Sequence, residues 1–78
     1  MIEISAHARA RMERKGISLE EVEECVKHGR LVSQQAVSGE MRYARTSDFK
    51  DKTVTVVYAV RKDRERVITC YPIRRKRW

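Results

Sequence analysis

Two side chains near the start of the sequence, those of His7 and Arg11, are candidates for acid–base chemistry at a phosphate group. They are four residues apart, so a helix through this segment places them on one face. The positive end of a helix favours a neutral imidazole, which can accept a proton, and a guanidinium one turn later can hold the phosphate. Tyr71, near the end of the last apolar stretch, completes the predicted catalytic set. Such chemistry needs a base, an acid and cations, but no metal ion.

Each member of this set also has a structural interpretation, which the sequence leaves open. His7 could hydrogen-bond a neighbouring strand or loop at the start of a helix. Arg11 could pair with an acidic side chain, and Tyr71 could cover the hydrophobic edge of a sheet. The catalytic hypothesis therefore requires that the fold brings the three side chains to one concave surface.

Cationic residues are concentrated in the second part of the chain. Residues 1–29 contain five Lys and Arg against six Asp and Glu, whereas residues 30–78 contain thirteen against five. This uneven field favours a polyanionic ligand, either nucleic acid or an acidic protein. The predicted nucleic-acid-binding side chains are Arg45, Arg74, Arg75 and Arg77. The run from 74 to 77 is equally typical of a solvated tail that binds polyanions weakly.

Three aromatic residues are candidates for stacking on bases, namely Tyr43, Tyr58 and Trp78. Tyr58 has a second interpretation as a core residue, because the two-residue alternation of a strand puts it on one face with Val54, Val56 and Val60. That face is fully apolar and must be covered.

The elements that position these residues are two helices followed by strands. Residues 53–60 and 67–73 predict a hairpin at the centre of the sheet, and residues 30–37 and 41–47 predict two further strands. Residues 1–4, in which Ile2 and Ile4 alternate with Glu3, indicate a short strand before Ser5.

Both helices carry capping signals. Ser5 is a predicted N-cap, and Ser18 with Glu21 predicts a capping box for the second helix. Gly16 suits the left-handed residue after the first helix, and Gly29 ends the second. Leu19, Val22 and Val26 are the expected buried stripe of the second helix, with Cys25 beside it.

This order predicts one α+β domain over residues 1–78, with a helical hairpin (5–29) packed on a four-stranded antiparallel β-sheet (30–73) and a basic tail (74–78). The hairpin covers one sheet face and leaves the other to polar and basic side chains. A domain of this size has a small core, so a homodimer or a docked partner would supplement its stability.

Other features limit the kinds of site. Cys25 and Cys70 match no zinc spacing and are expected to be two reduced, buried thiols. His7 and His28 have no acidic cluster beside them, so no metal and no cofactor are expected. No apolar run approaches the roughly 20 residues that span a bilayer. We therefore expect no membrane contact and a cytoplasmic location.

The sequence resembles a prokaryotic domain family of unknown function, DUF4258. The resemblance lies in S-A-H-A-R-A-R-M-E-R-K-G-I-S-L-E-E-V over residues 5–22 and V-I-T-C-Y-P over residues 67–72. That family is similar in arrangement to RelE/ParE-type toxins, which are ribosome-dependent ribonucleases or gyrase poisons neutralised by an antitoxin. The resemblance implies a RelE/ParE-like fold, RNA or the ribosome as ligand, an antitoxin protein as partner and a metal-independent endoribonuclease activity. The alternative is a non-catalytic module that binds nucleic acid or protein.

Overall fold

The computed structural model describes residues 2–74 as two helices and five strands. In chain order they are β1 (Ile2–Ile4), α1 (Ala6–Lys15), α2 (Leu19–His28), β2 (Arg30–Val37), β3 (Glu40–Asp48), β4 (Lys52–Arg61) and β5 (Arg64–Arg74). The two helices precede an antiparallel meander, which confirms the predicted α+β class.

The strands form one mixed sheet in the spatial order β1-β5-β4-β3-β2. Strands β2 to β5 pair antiparallel with their sequence neighbours, whereas β1 pairs parallel with β5. The sheet therefore has five strands and not the predicted four, and it is not purely antiparallel. The additional strand forms because Ile2 and Ile4 pack against the core and the Ser5 N–H donates to the Val67 carbonyl oxygen at 3.1 Å.

Only one face of the sheet is covered by the helices. Val54, Val56 and Tyr58 of β4 are buried there, which confirms the face predicted from their alternation. They belong to a core cluster with residues of both helices, of the turn between the helices and of β5, namely Ala8, Met12, Ile17, Val22, Cys25, Val26, Val67 and Cys70. Within residues 2–74 the core cluster contains no leucine, and its largest side chain is that of Tyr58.

The predicted stripe of α2 is wrong at one position. Val22 and Val26 are buried, but Leu19 is 50% exposed at the first position of the helix. Cys25, which was expected to flank the stripe, is fully buried instead. The residues of α2 that reach the sheet therefore start one turn later than the apolar pattern suggests.

Both predicted serine caps are present. The Ser5 hydroxyl accepts from the Ala8 N–H, and Ser18 and Glu21 form a reciprocal capping box. Gly16 has the expected left-handed backbone, with φ of 67°. Gly29 is extended, with φ of −70°, and is needed for space, because a Cβ atom there would lie 2.5 Å from the Cys25 carbonyl oxygen.

Lys52 anchors the turn between the helices to the sheet. Its side chain is only 8% exposed, and its ammonium donates to the Gly16 carbonyl oxygen at 2.8 Å and lies 3.0 Å from Glu21 Oε1. Burial by itself raises the pKa of the Glu21 carboxyl, but the Ser18 N–H and the Lys52 ammonium outweigh it and hold that pKa below its ordinary value. Glu21 thus caps α2 and pairs with β4 through one oxygen atom.

We expect Lys52→Met to lower the free energy of unfolding at neutral pH by about 2 kcal/mol, because a partly buried carboxylate and a carbonyl oxygen lose their donor. The lowered pKa of Glu21 stabilises the wild type above the carboxyl's unfolded pKa, and this stability is lost as pH falls through the folded pKa. The deficit of the variant should therefore shrink in acid. Denaturant titrations across that range measure it, with the exposed Lys50→Met as control. Equal stability of both variants at neutral pH would contradict the anchor.

The two cysteines are free and buried, as predicted. The Cys25 thiol donates to the Val54 carbonyl oxygen at 3.4 Å, and Cys70 lies 4.0 Å from the Ala8 carbonyl oxygen. Burial raises the pKa of both thiols. Both therefore stay protonated and weakly nucleophilic at neutral pH.

Labelling with a thiol reagent at neutral pH should be at least about a hundredfold slower in the folded protein than in denaturant, because exposing either thiol requires opening of the core. Both thiols should then react together as the protein unfolds. A native-state reaction of Cys25 or Cys70 at the denatured rate would show that the helices do not cover the sheet as described.

Candidate nucleic-acid interface

The sheet face opposite the helices, which we call the open face, has small side chains at its centre and longer side chains around them. We call the small side chains the floor. The floor consists of Ala44, Thr46, Thr55 and Ala59, which are at most 9% exposed although no helix covers them. The two threonine hydroxyls are satisfied, since Thr55 donates to Thr46 at 3.3 Å and Thr46 donates to the Val54 carbonyl oxygen at 3.1 Å. The face is therefore a shallow trough that is shielded at its base.

One end of the open face is a cavity of about 820 Å³ that we call the arginine groove. Its cationic side chains are those of Arg42, Arg61, Lys62, Arg64 and Arg66, and His7 lines the same cavity. Its remaining lining residues are Glu3, Ser5, Glu40, Ala59 and Ile68. Five cations against two carboxylates make this cavity electropositive.

Only two of these cations have an acidic partner within the described residues. Arg42 lies 3.3 Å from Glu40, and Arg64 lies 3.5 Å from Glu3. Both pairs are solvent-exposed, and such pairs contribute little to stability. The three other cations of the groove form no ion pair with any carboxylate in residues 2–74.

The turn between β4 and β5 concentrates positive charge at the groove. Lys62 and Asp63 have φ of 49° and 64°, so two consecutive non-glycine residues are left-handed in a two-residue hairpin. Arg61 and Arg64 are paired directly across the strands. Like charges in such a pair are destabilising, and a bound anion would relieve the repulsion.

Ser5 fixes the position of His7 relative to the groove. Its hydroxyl caps α1 and also donates to the Ile68 carbonyl oxygen at 3.1 Å. His7, two residues after this cap, is exposed. The serine of the S-x-H-A motif thus ties the start of α1 to β5 and leaves the imidazole free to reach a ligand in the groove.

The structure does not bring the three predicted catalytic residues into one cavity. Arg11 and Tyr71 do not line the arginine groove. The Arg11 Nε donates to the Cys70 carbonyl oxygen at 3.3 Å, where it fastens α1 to β5. Tyr71 pairs with Thr55 on the open face, outside the groove. Of the predicted set, His7 alone lies among the cations.

The predicted nucleic-acid-binding arginines lie elsewhere. Arg45 was expected on the open face, but it lies on the helix-covered side, where it donates to the Tyr58 hydroxyl at 2.8 Å and to the Gly29 carbonyl oxygen at 3.0 Å. Arg74 donates to the Lys15 carbonyl oxygen at 3.3 Å. Arg75 and Arg77, and the stacking candidate Trp78, lie outside the described residues.

The other two candidates for stacking on bases, Tyr43 and Tyr58, stack on each other instead. The rings of Tyr43 and Tyr58 stack with a centroid distance of 5.5 Å on the helix-covered side. Tyr58 is 4% exposed, so its interpretation as a core residue is confirmed.

The cations that form the groove are not among the candidates that the sequence suggests. Neither Arg42 nor the charged segment 61–66, which connects the two strands of the predicted hairpin, belongs to a predicted site. The available signal was the density of four Arg and Lys in these six residues. A short hairpin turn necessarily brings such side chains together at one sheet end.

Two classes of site find no support in the described part of the chain. Residues 2–74 contain no group of three or more His, Cys, Asp or Glu side chains that could hold a metal ion. Within the same range, neither helix is long and apolar enough to cross a membrane.

Comparison with known protein families gives a match over most of the chain. The family described as "Domain of unknown function (DUF4258)" matches residues 4–72, which include both helices and nearly all of the sheet. No curated protein and no solved structure matches the chain.

Proposed function

The chain belongs to the DUF4258 family of domains of unknown function, and from the arginine groove we propose that it binds RNA and cleaves it as a metal-independent endoribonuclease of the RelE/ParE type. The observation that carries this proposal is one cavity holding an exposed histidine and five cations, three of which lack an acidic partner within residues 2–74. Guanidinium groups are suited to phosphate, which they bind through two parallel hydrogen bonds.

In the proposed reaction, neutral His7 takes the proton of a ribose 2′-hydroxyl, and that oxygen attacks the adjacent phosphorus. The P–O5′ bond breaks, which leaves a 2′,3′-cyclic phosphate and a 5′ oxygen that takes a proton from water, and His7 returns its proton to the solvent. Cations of the groove stabilise the additional negative charge on the phosphorus. Arg66 and Arg42 are suited to this role, because they line the cavity from β5 and β3, on either side of Ala59 of β4.

The proposal extends to a RelE/ParE-like toxin of the cytoplasm, with messenger RNA on the ribosome as substrate. It is supported by a helical hairpin that covers one side of the sheet, and by a formal net charge of +7. An antitoxin protein with an acidic segment would neutralise the groove, and a homodimer would supplement the small core.

RNA binding should weaken steeply with salt, because each phosphate neutralised by the groove releases counterions. We expect Arg66→Gln to lower affinity severalfold and the slope of log affinity against log salt by about one. The control is Lys27→Gln, which removes the same charge from the exposed end of α2. Fluorescence anisotropy with labelled RNA measures both quantities. Equal effects of the two substitutions would show that net charge, and not the groove, attracts RNA.

Cleavage should depend on His7 and not on His28. His7→Ala is expected to reduce the rate by about a hundredfold or more, the usual contribution of a general base. His28→Ala is the matched control, because His28 is exposed on α2 and faces Glu24 at 3.3 Å. The assay follows messenger RNA with and without ribosomes in the presence of a chelator. Equal cleavage by wild type and His7→Ala, or none by wild type, would remove the catalytic part of the proposal.

The second candidate is a non-catalytic module that binds nucleic acid through the same groove. The positions of Arg11 and Tyr71 favour it, because both predicted partners of His7 lie outside the cavity. Salt-dependent RNA binding without cleavage, equal in wild type and His7→Ala, would support this function over the first.

A further inference from the structure

The arginine groove occupies one end of the open face, and the other end has a different chemistry. Tyr71 and Ile73 lie there on β5 and are 38% and 60% exposed. Their strand partners on β4 are Thr55 and Thr53. This end of the face is therefore aromatic, aliphatic and hydroxyl-bearing, with no lysine or arginine at these four positions.

Tyr71 and Arg66 share the open face because of an irregularity in β5. Arg66 pairs with Ala59 and Tyr71 pairs with Thr55, and the register shifts between Val57 and Tyr58. A strand rise of about 3.3 Å per residue puts the two backbone positions roughly 13 Å apart along β4. The intervening positions of the open face are Ala44, Val57 and Thr69, whose side chains are shorter than those of arginine and tyrosine, so an extended ligand can contact both positions.

The Tyr71 ring has no structural task that the described residues reveal. Among the described residues, it is absent from the core cluster and stacks on no other ring. Within residues 2–74 its hydroxyl forms no hydrogen bond. The stacked pair Tyr43 and Tyr58, in contrast, lies on the covered side. Tyr71 is therefore the aromatic side chain that the described structure leaves available on the open face.

We propose that Tyr71, flanked by Ile73, is a base-stacking platform, and that the ligand of the open face is single-stranded RNA that runs from the arginine groove to this ring. The inference rests on the proposed RNA binding and deepens it. A tyrosine face stacks on any base, and sheet surfaces that bind single-stranded RNA use aromatic side chains in this way. In a duplex the base faces are already stacked, so only an unpaired strand can use both ends of the open face.

The test compares three ligands in a non-cleavable 2′-O-methyl form: a short single strand, the same sequence as a duplex, and a base-free ribose-phosphate oligomer of equal length. Affinities are measured by competition against labelled single strand for wild type, Tyr71→Ala and Tyr71→Phe. We expect wild type to prefer the single strand over the base-free oligomer by roughly tenfold. Tyr71→Ala should lose this preference with an unchanged salt slope, and Tyr71→Phe should keep it.

Other results overturn the inference in distinguishable ways. If wild type binds all three ligands alike with steep salt dependence, phosphate binding by the groove stands and the stacking platform is wrong. A Tyr71→Ala variant whose affinities for the base-free oligomer and for the single strand fall equally also contradicts stacking. If wild type binds none of the three, the proposed function and this inference both fail. Should Tyr71→Ala not fold, as judged by circular dichroism, Tyr71→Leu keeps apolar bulk without the aromatic face and replaces it.

Discussion

The burial of one face of β4 against two short helices is the constraint on which the structure depends. Val54, Val56 and Tyr58 lie in the core, and the residues that alternate with them have no helix to cover them. Because the helical hairpin has only twenty helical residues, it can shield one side of a five-stranded sheet and no more. Every other feature of the open face, including its small-residue floor, follows from this sidedness.

The helix-side contacts are also what hold the candidate site in place. Ser5 joins the start of α1 to β5, Arg11 donates to the backbone of β5, and Lys52 joins the helical turn to β4. Three of the sequence's polar side chains thus serve as fasteners between layers. The cations at the turn between β4 and β5 take no part in these contacts and are exposed.

The sequence predicts most of the fold because its signals are local. The serine caps, Gly16 and the alternation of β4 each depend on residues within a few positions, and the structure confirms them. The parallel pairing of β1 is not local, since Ile4 pairs with Val67. A three-residue segment with Glu3 between two isoleucines does not reveal a partner 63 residues away.

The candidate site was less predictable, because the strand pairing decides which face of the sheet is covered by the helices. Alternation puts Tyr43 and Arg45 on one face of β3, but the pairing of Tyr43 with Tyr58 decides that this face is the covered one. The irregularity in β5 also changes which residues share a face of the sheet. Val67 and Cys70 are three residues apart, which alternation assigns to opposite faces, yet both are buried in the core. Arginines could therefore be counted from the sequence but not assigned to a surface.

The parallel pairing of β1 with β5 has a consequence for biogenesis. The groove takes Glu3 and His7 from one part of the chain and residues 61–68 from another, so no fragment that stops before β5 contains it. During synthesis, the contacts between β1 and β5 cannot form until β5 has been made. Topologies with such long-range pairing fold slowly. An emerging chain would thus lack the groove until β5 docks, and its cations would meet His7 only after translation has passed that point.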